Sequence, residues 1–407
     1  MGRRFFVSLA LLLCAEATLA QVATTSGTST STINTSLPVA YVYVSSAHYI
    51  HAYKAWADGK ITSITGSPFP YAGIRKMSVT SKFLFGADAS QNLFTYSIHS
   101  NGYISKVAAL STGKYEGGSC QIPQWGTQVD YSQATLYYLA CSNNFFTTNP
   151  NEYLSFHIGS TGSLQFLGGS GGGITALTQG TDEVLTKMGG NAFAFDSYCD
   201  DETDQGVIQI YRRQSNGSLI YYGESNRMPA AAPGSAFCAG MVAADTSNHL
   251  AAAVFRIDSQ PHDAGFIYGP SYLASYTADS NGNLTTTSDV DNMPYLSIAG
   301  TTGVTAVSIS PDNKYVAAGA DNGFQILHFN GGNPPTHFTG ALLSGHRISK
   351  FGWDKAHHLY VLSSVVSGTF STTYLHIYTV SSSGAKEASG SPHYLSALTN
   401  LIVLDLQ

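Results

Sequence analysis

The sequence predicts an all-β protein, a seven-bladed β-propeller of four-stranded antiparallel blades. Three observations predict it. First, a strand ending in an aromatic residue is followed six positions later by Gly at Tyr53/Gly59, Tyr96/Gly102, Phe156/Gly162, Tyr211/Gly217, Tyr276/Gly282 and Tyr378/Gly384. A looser seventh copy runs from Ile326-Leu327-His328-Phe329 into Asn330-Gly331-Gly332. Second, short apolar runs separated by turn residues surround each copy, four runs to a unit, as propeller repeats require. Third, no stretch keeps a helical period over a helix length, and the chain ends in a lone apolar run, Leu401-Ile402-Val403-Leu404-Asp405-Leu406.

Taken in order, residues 1–20 read as a secretory signal. Arg3 and Arg4 form a basic start, and Phe5 to Leu13 is an apolar run too short to span a bilayer. Ala17-Thr18-Leu19-Ala20 offers small residues for cleavage before Gln21, with Ala15-Glu16-Ala17 as a second option. Leu13 stands before Cys14, where lipoprotein processing wants a small residue. Residues 21–38 are a Ser/Thr-rich tract with no periodicity, expected to be a disordered linker. The propeller is expected over 39–407, in a secreted or periplasmic protein with no membrane span.

The first unit opens directly on a second strand at Val39-Ala40-Tyr41-Val42-Tyr43-Val44. The C-terminal run is therefore expected to supply that blade's innermost strand and close the ring, which removes an exposed sheet edge. The sixth unit is the clearest. Thr305 to Ser310 is a strand, Pro311-Asp312-Asn313 a turn, Lys314 to Gly319 a second strand and Phe324 to Phe329 a third. Matching second strands at Phe83-Leu84-Phe85-Gly86, Leu136-Tyr137-Tyr138-Leu139, Ala192-Phe193-Ala194-Phe195 and Leu359-Tyr360-Val361-Leu362 are apolar on both faces, as strands between stacked sheets should be. Extra length is confined to loops after second strands and between units, which elaborates one face.

Composition bounds the function. Charged residues are 11% of the chain, against roughly 25% in an average soluble domain, and the formal net charge is −6. No basic run is present to displace counterions, which excludes nucleic acid as a partner. No cofactor motif and no Cys/His zinc spacing appear. Cys120, Cys141, Cys199 and Cys238 follow the signal, an even count that allows two disulfides in three connectivities. Cys120–Cys141 and Cys199–Cys238 are the expected pairs, each pinning a long loop. The acidic cluster Asp200-Asp201-Glu202-Thr203-Asp204 could offer oxygens to Ca²⁺, but it lacks the spacing of a calcium loop and reads as a solvated acidic loop, with no metal site expected.

In a propeller the loops from fourth to first strands and from second to third strands share a face, where ligands bind over the channel. Asp88, Asp196 and Asp321 end second strands there, as do Arg256 and Asp258, while Arg75 and the pair His346-Arg347 open first strands. The arginines suit an anionic ligand. The aspartates suit their own turns better, by Asx hydrogen bonds. The trio His346, Asp321 and Arg347 is the best available set for activating water against a lactone carbonyl, which needs a base and an electrophilic partner. Trp56, Trp125 and Trp353 suit stacking on sugars. The remaining histidines His99, His157, His328 and His376 lie on third strands and read as structural.

Ile61-Thr62-Ser63-Ile64-Thr65-Gly66-Ser67-Pro68-Phe69, repeated in part as Ser389-Gly390-Ser391-Pro392, resembles the blade signature of the seven-bladed lactonase-type propellers, relatives of 6-phosphogluconolactonase and the carboxymuconate-lactonising enzymes. Ser310-Pro311-Asp312-Asn313-Lys314-Tyr315-Val316 also resembles YVTN and WD-repeat propellers. The resemblance covers residues 39–407 and implies the fold. It implies lactone hydrolysis only if the family's Pro-Arg-His-type segment is present at the start of an inner strand, and that segment is absent here. Two functions follow. One is a secreted, monomeric binding protein that takes a small molecule, glycan or protein on its elaborated face. The other is a lactone hydrolase with a diverged site.

Overall fold

The computed structural model describes residues 37–71, 73–113, 126–130, 132–139, 153–171, 186–187, 192–200, 205–258, 268–299, 303–367, 370–395 and 398–406. The signal, nearly all of the linker, and Cys120, Trp125 and Cys141 lie outside these residues. The described residues hold strands and no helix, and so no helix long and apolar enough to cross a membrane.

Seven antiparallel sheets follow one another along the chain. The first blade contains β1 (Ala40–Ser46), β2 (Ile50–Ala55) and β3 (Ile61–Ser63). The second is β4 (Ile74–Val79), β5 (Phe83–Asp88), β6 (Asn92–Ile98) and β7 (Ile104–Ser111). The third is β8 (Thr127–Val129), β9 (Thr135–Leu139), β10 (Tyr153–Ile158) and β11 (Leu164–Gly169). The fourth is β12 (Thr186–Lys187), β13 (Phe193–Asp200), β14 (Gln205–Arg213) and β15 (Leu219–Ser225). The fifth is β16 (Ser235–Ala244), β17 (His249–Asp258), β18 (Tyr268–Ala278) and β19 (Leu284–Thr285). The sixth is β20 (Val304–Ile309), β21 (Tyr315–Ala320), β22 (Gly323–Asn330) and β23 (Asn333–His337). The seventh is β24 (Arg347–Trp353), β25 (His358–Ser367), β26 (Phe370–Ser381) and β27 (Gly384–Glu387). To this last sheet β28 (His393–Leu395) adds a fifth strand beside β26. Finally β29 (Leu398–Asp405) returns to pair antiparallel with β1, Val42 opposite Val403, and completes the first blade from the C-terminus.

The core lies between blades. Seven apolar clusters each join residues of two neighbouring blades. Phe85 and Leu136 meet between the second and third, Ala317 and Phe351 between the sixth and seventh, and Val42 and Tyr360 between the first and last. Both faces of each sheet are thus covered, which is why the second strands are apolar throughout (β5 and β9 are buried along almost their full length).

Two local devices recur. The turn from first to second strand is closed by a side chain that accepts the next strand's N–H. Asp130 accepts from Thr135 (2.9 Å), Asp245 from His249 (3.0 Å), Ser310 Oγ from Tyr315 (3.0 Å) and Asp354 from His358 (2.9 Å). In the first, fifth, sixth and seventh blades the fourth strand is short, so third-strand N–H groups would go unpaired. A hydroxyl just beyond the fourth strand accepts them: Ser67 from Ala52, Ser288 from Ser275, Thr339 from Ile326 and Ser391 from Ile377. The Gly-Ser-Pro signature is therefore an edge-sealing motif, and its serine is the working residue.

Candidate functional site

The innermost strands are β29, β4, β8, β12, β16, β20 and β24, and they build the wall around the channel. Four carry a bulge at an equivalent level. The register steps over Arg75 in β4, Gly240 in β16, Thr305 in β20 and Ser349 in β24, and β29 steps likewise between its pairings to Ser45 and Ser46. A bulge re-aims the side chains beside it and sharpens the local twist. Arg75 is exposed at its bulge. The residue after the bulge is Lys76 in β4, Asn400 in β29 and Lys350 in β24, on three adjacent inner strands. Lys76 and Lys350 are half-buried. Asn400 is buried, and its Oδ1 accepts no hydrogen bond. The described inner strands bear Arg75, Lys76, Lys187, Arg347 and Lys350 against the single carboxylate Asp405. That carboxylate already pairs with Lys355 at 2.9 Å. These strands thus carry more cations than carboxylates among the described residues, in a chain of net charge −6.

The sequence-derived candidates divide among different environments. Asp88 caps its own turn, accepting from Ser90 N (2.8 Å), Asn92 N (2.9 Å) and Asn92 Nδ2 (3.0 Å). Asp196 lies within β13, since that strand runs on to Asp200, and it is buried. It accepts from Tyr153 OH and Ser197 N, both at 2.8 Å, yet burial pushes its carboxyl up to about 6. Arg256 lies inside β17 opposite Phe237, and Asp258 is the last residue of that strand. The side chain of Asp258 lies outside the described residues, as does all of 201–204 from the acidic cluster. Among described residues no group of three or more His, Cys, Asp or Glu could hold a metal ion. Cys238 is fully buried and disulfide-bonded, while the side chain of Cys199 is outside the described residues. Trp353 is buried between blades, and Trp56 donates to Thr62 Oγ1 at 3.1 Å.

Of the trio, Asp321 and Arg347 meet each other, Oδ1 to Nε, at 3.3 Å. Asp321 is not the equivalent of Asp88, although each follows Gly-Ala. Asp88 is the last residue of β5 and opposes Ile74, whereas Ala320 holds that place in β21 and Asp321 is one step beyond. His346 sets its Nδ1 3.0 Å from Ser363 Oγ. Ser363 is fully buried.

One group has no counterpart among the sequence-derived candidates. His376, on β26, sets Nδ1 2.7 Å from Glu387 Oε1, which also accepts from Ser391 Oγ at 2.8 Å. Its ring meets that of His346 edge-on, 5.3 Å between centroids. Burial lowers the pKa of both imidazoles; for His346 the neighbouring His376 adds to this, while Glu387 opposes it in both. The signal for His376 was the polar residue at an inward position of a third strand, opposite Val361.

No protein-family model matches the chain, and no curated protein matches it. Among solved structures, a puromycin hydrolase mutant complexed with PGG is similar over 88% of this chain at 10% identity and a TM-score of 0.49. This chain spans only 53% of that hydrolase. A chain of the mitotic checkpoint complex is similar over 94% of this chain and 87% of its own length, at 12% identity and a TM-score of 0.45.

Proposed function

We propose that this chain is a secreted binding protein that takes an anionic small molecule at its channel mouth. The observation that supports this most is the repeat-equivalent pair Lys76 and Lys350, set after bulges on strands that flank β29. Ammonium groups on a rigid wall act as point charges for a carboxylate or phosphate, and a low-dielectric channel strengthens the attraction. The groups suited to hydrolysis favour the lactone-hydrolase reading less. Arg347 is paired with Asp321, and the hydroxyl nearest His346 belongs to a buried serine.

The test is thermal shift with a panel of polycarboxylates, phosphate and lactones, run beside pH-stat assays of the same lactones. The reading expects anions to raise Tm, the Lys76→Ala/Lys350→Ala variant to lose that response, and lactones to persist. Turnover of any lactone by the wild type, lost in His346→Ala, would establish the hydrolase in its place.

A further inference from the structure

The seam between the sixth and seventh blades is bounded by the largest sheet among the described strands. Its outer half is walled by five strands on one side, because β28 extends the seventh sheet beyond β26. On the other side β23 is short and a linker crosses back to β24. Tyr374 and Tyr394 oppose each other across β26 and β28, so both side chains stand on the same face of that sheet. Tyr378, four residues further along β26 on Tyr374's face, packs on Phe324 of the sixth blade. That face is therefore the one turned toward the sixth blade.

Tyr394 is 67% exposed although it sits in a paired strand. It is a large aromatic held rigidly and left uncovered. Its ring lies 6.2 Å from that of Tyr374 at 64°, which makes a corner of two aromatic walls. Tyr374 continues to His346 at 5.7 Å and to His376 at 5.9 Å. His376 is 3% exposed, its Nδ1 is tied to Glu387, and its Nε2 has no protein partner. A buried polar atom without a partner costs on the order of 1–3 kcal/mol. The turn that delivers His346 is strained as well. Leu343 holds φ 54°, a region that costs a branched side chain on the order of 1 kcal/mol, and its carbonyl accepts the N–H of His346 at 3.0 Å. Strain and an orphaned polar atom meet at one place in a rigid wall.

From this geometry we infer a second binding site, at the seam of the sixth and seventh blades, for the pyranose ring of a neutral glycan. It does not rest on the channel reading. A pyranose has an apolar C–H face and a rim of hydroxyls. The C–H face suits Tyr394, and the rim would meet the imidazole of His346, the phenol of Tyr374 and the carboxylate of Glu387, whose side chain is 33% exposed. Glu387 already accepts from His376, Ser391 and Tyr378, and its carboxylate turns an anion away, so the site suits an uncharged ligand. That separates this site from the basic channel wall and its anion.

Isothermal titration of the mature chain at pH 7.5 with cellopentaose, chitopentaose and mannopentaose tests the inference. At least one should bind with Kd below about 1 mM. Tyr394→Ala should weaken that binding about tenfold, as loss of a stacking partner does, while Tyr394→Phe and Lys76→Ala/Lys350→Ala leave it unchanged. Tyr394 is exposed enough for the alanine variant to keep its fold, checked by an unchanged Tm. Absence of binding by all three sugars overturns the inference. So does binding that survives in Tyr394→Ala, or that is lost in the lysine variant instead.

Discussion

Gly59 of the first blade lies against Ala388 of the last, so closely that a Cβ on the glycine would stand 2.8 Å from Ala388 Cβ. The same turn in the third blade brings Gly162 against the second, where a Cβ would stand 2.9 Å from Phe83 Cε1. Each of these turns runs from third to fourth strand and seats on the preceding blade. The recurrent aromatic-to-glycine spacing is thus a docking element between blades as well as a turn, and Gly59 docks the first blade on the seventh.

Gly59→Ala should destabilise the protein by roughly 1–3 kcal/mol, because φ is +79° and the neighbouring carbon is backbone-proximal. Gly171→Ala, at φ +59° with open space around it, should cost less. Urea melts of the two variants make the comparison.

Removing residues 398–407 should abolish soluble expression. The strand β29 buries Leu401 completely, worth about 1.5–3 kcal/mol by itself, and pairs with β1 along its length. Its loss would also expose the inner edge of β1 to other chains. A soluble, monomeric truncation by light scattering would contradict the ring closure.

Asp196 makes stability depend on pH in an unusual direction. Its folded pKa, about 6, lies above the ordinary 3.8, so the folded state holds its proton more tightly than the unfolded chain. The stabilisation is present below about pH 4 and is lost as pH rises to 6. Asp196→Asn keeps an acceptor for Tyr153 and removes the titration. The unfolding free energy of the variant relative to wild type, from urea melts, should therefore rise between pH 4 and pH 7, by an amount on the order of 3 kcal/mol at most. A constant difference would show that Asp196 does not titrate in that window.

Cys199 is expected to be the partner of Cys238. Its backbone opposes Gly206 across β13 and β14, and a Cβ on Gly206 would stand 2.8 Å from Cys238 Cα. Non-reducing peptide mapping should recover the 199–238 crosslink. A crosslink from Cys238 to Cys120 or Cys141 would reassign it.

Most of the fold was legible because its signals are local. Tyr276 and Gly282 mark a turn by spacing alone, and the lone run from Leu401 announces a strand in need of a partner. The site was less legible because its determinants are matters of register. The bulge at Arg75 breaks the alternation by one residue, so nothing local shows that Lys76 and Lys350 share a level. Asp321 looks equivalent to Asp88 because each follows Gly-Ala, yet that motif stands one residue further along β21 than along β5. His376 and Glu387 are eleven residues apart and meet across a strand pair, and β28 is too short to read as a strand beside them. Fold follows from pattern, whereas the candidate site depends on which residue faces which.

The most direct test of the channel-mouth proposal is titration calorimetry with citrate at low and at physiological salt. Wild type should bind, more weakly as salt rises, since exposed charges are screened. Lys76→Ala/Lys350→Ala should lose at least about tenfold in affinity. Binding that is unchanged in that variant would place the anion elsewhere and contradict the account.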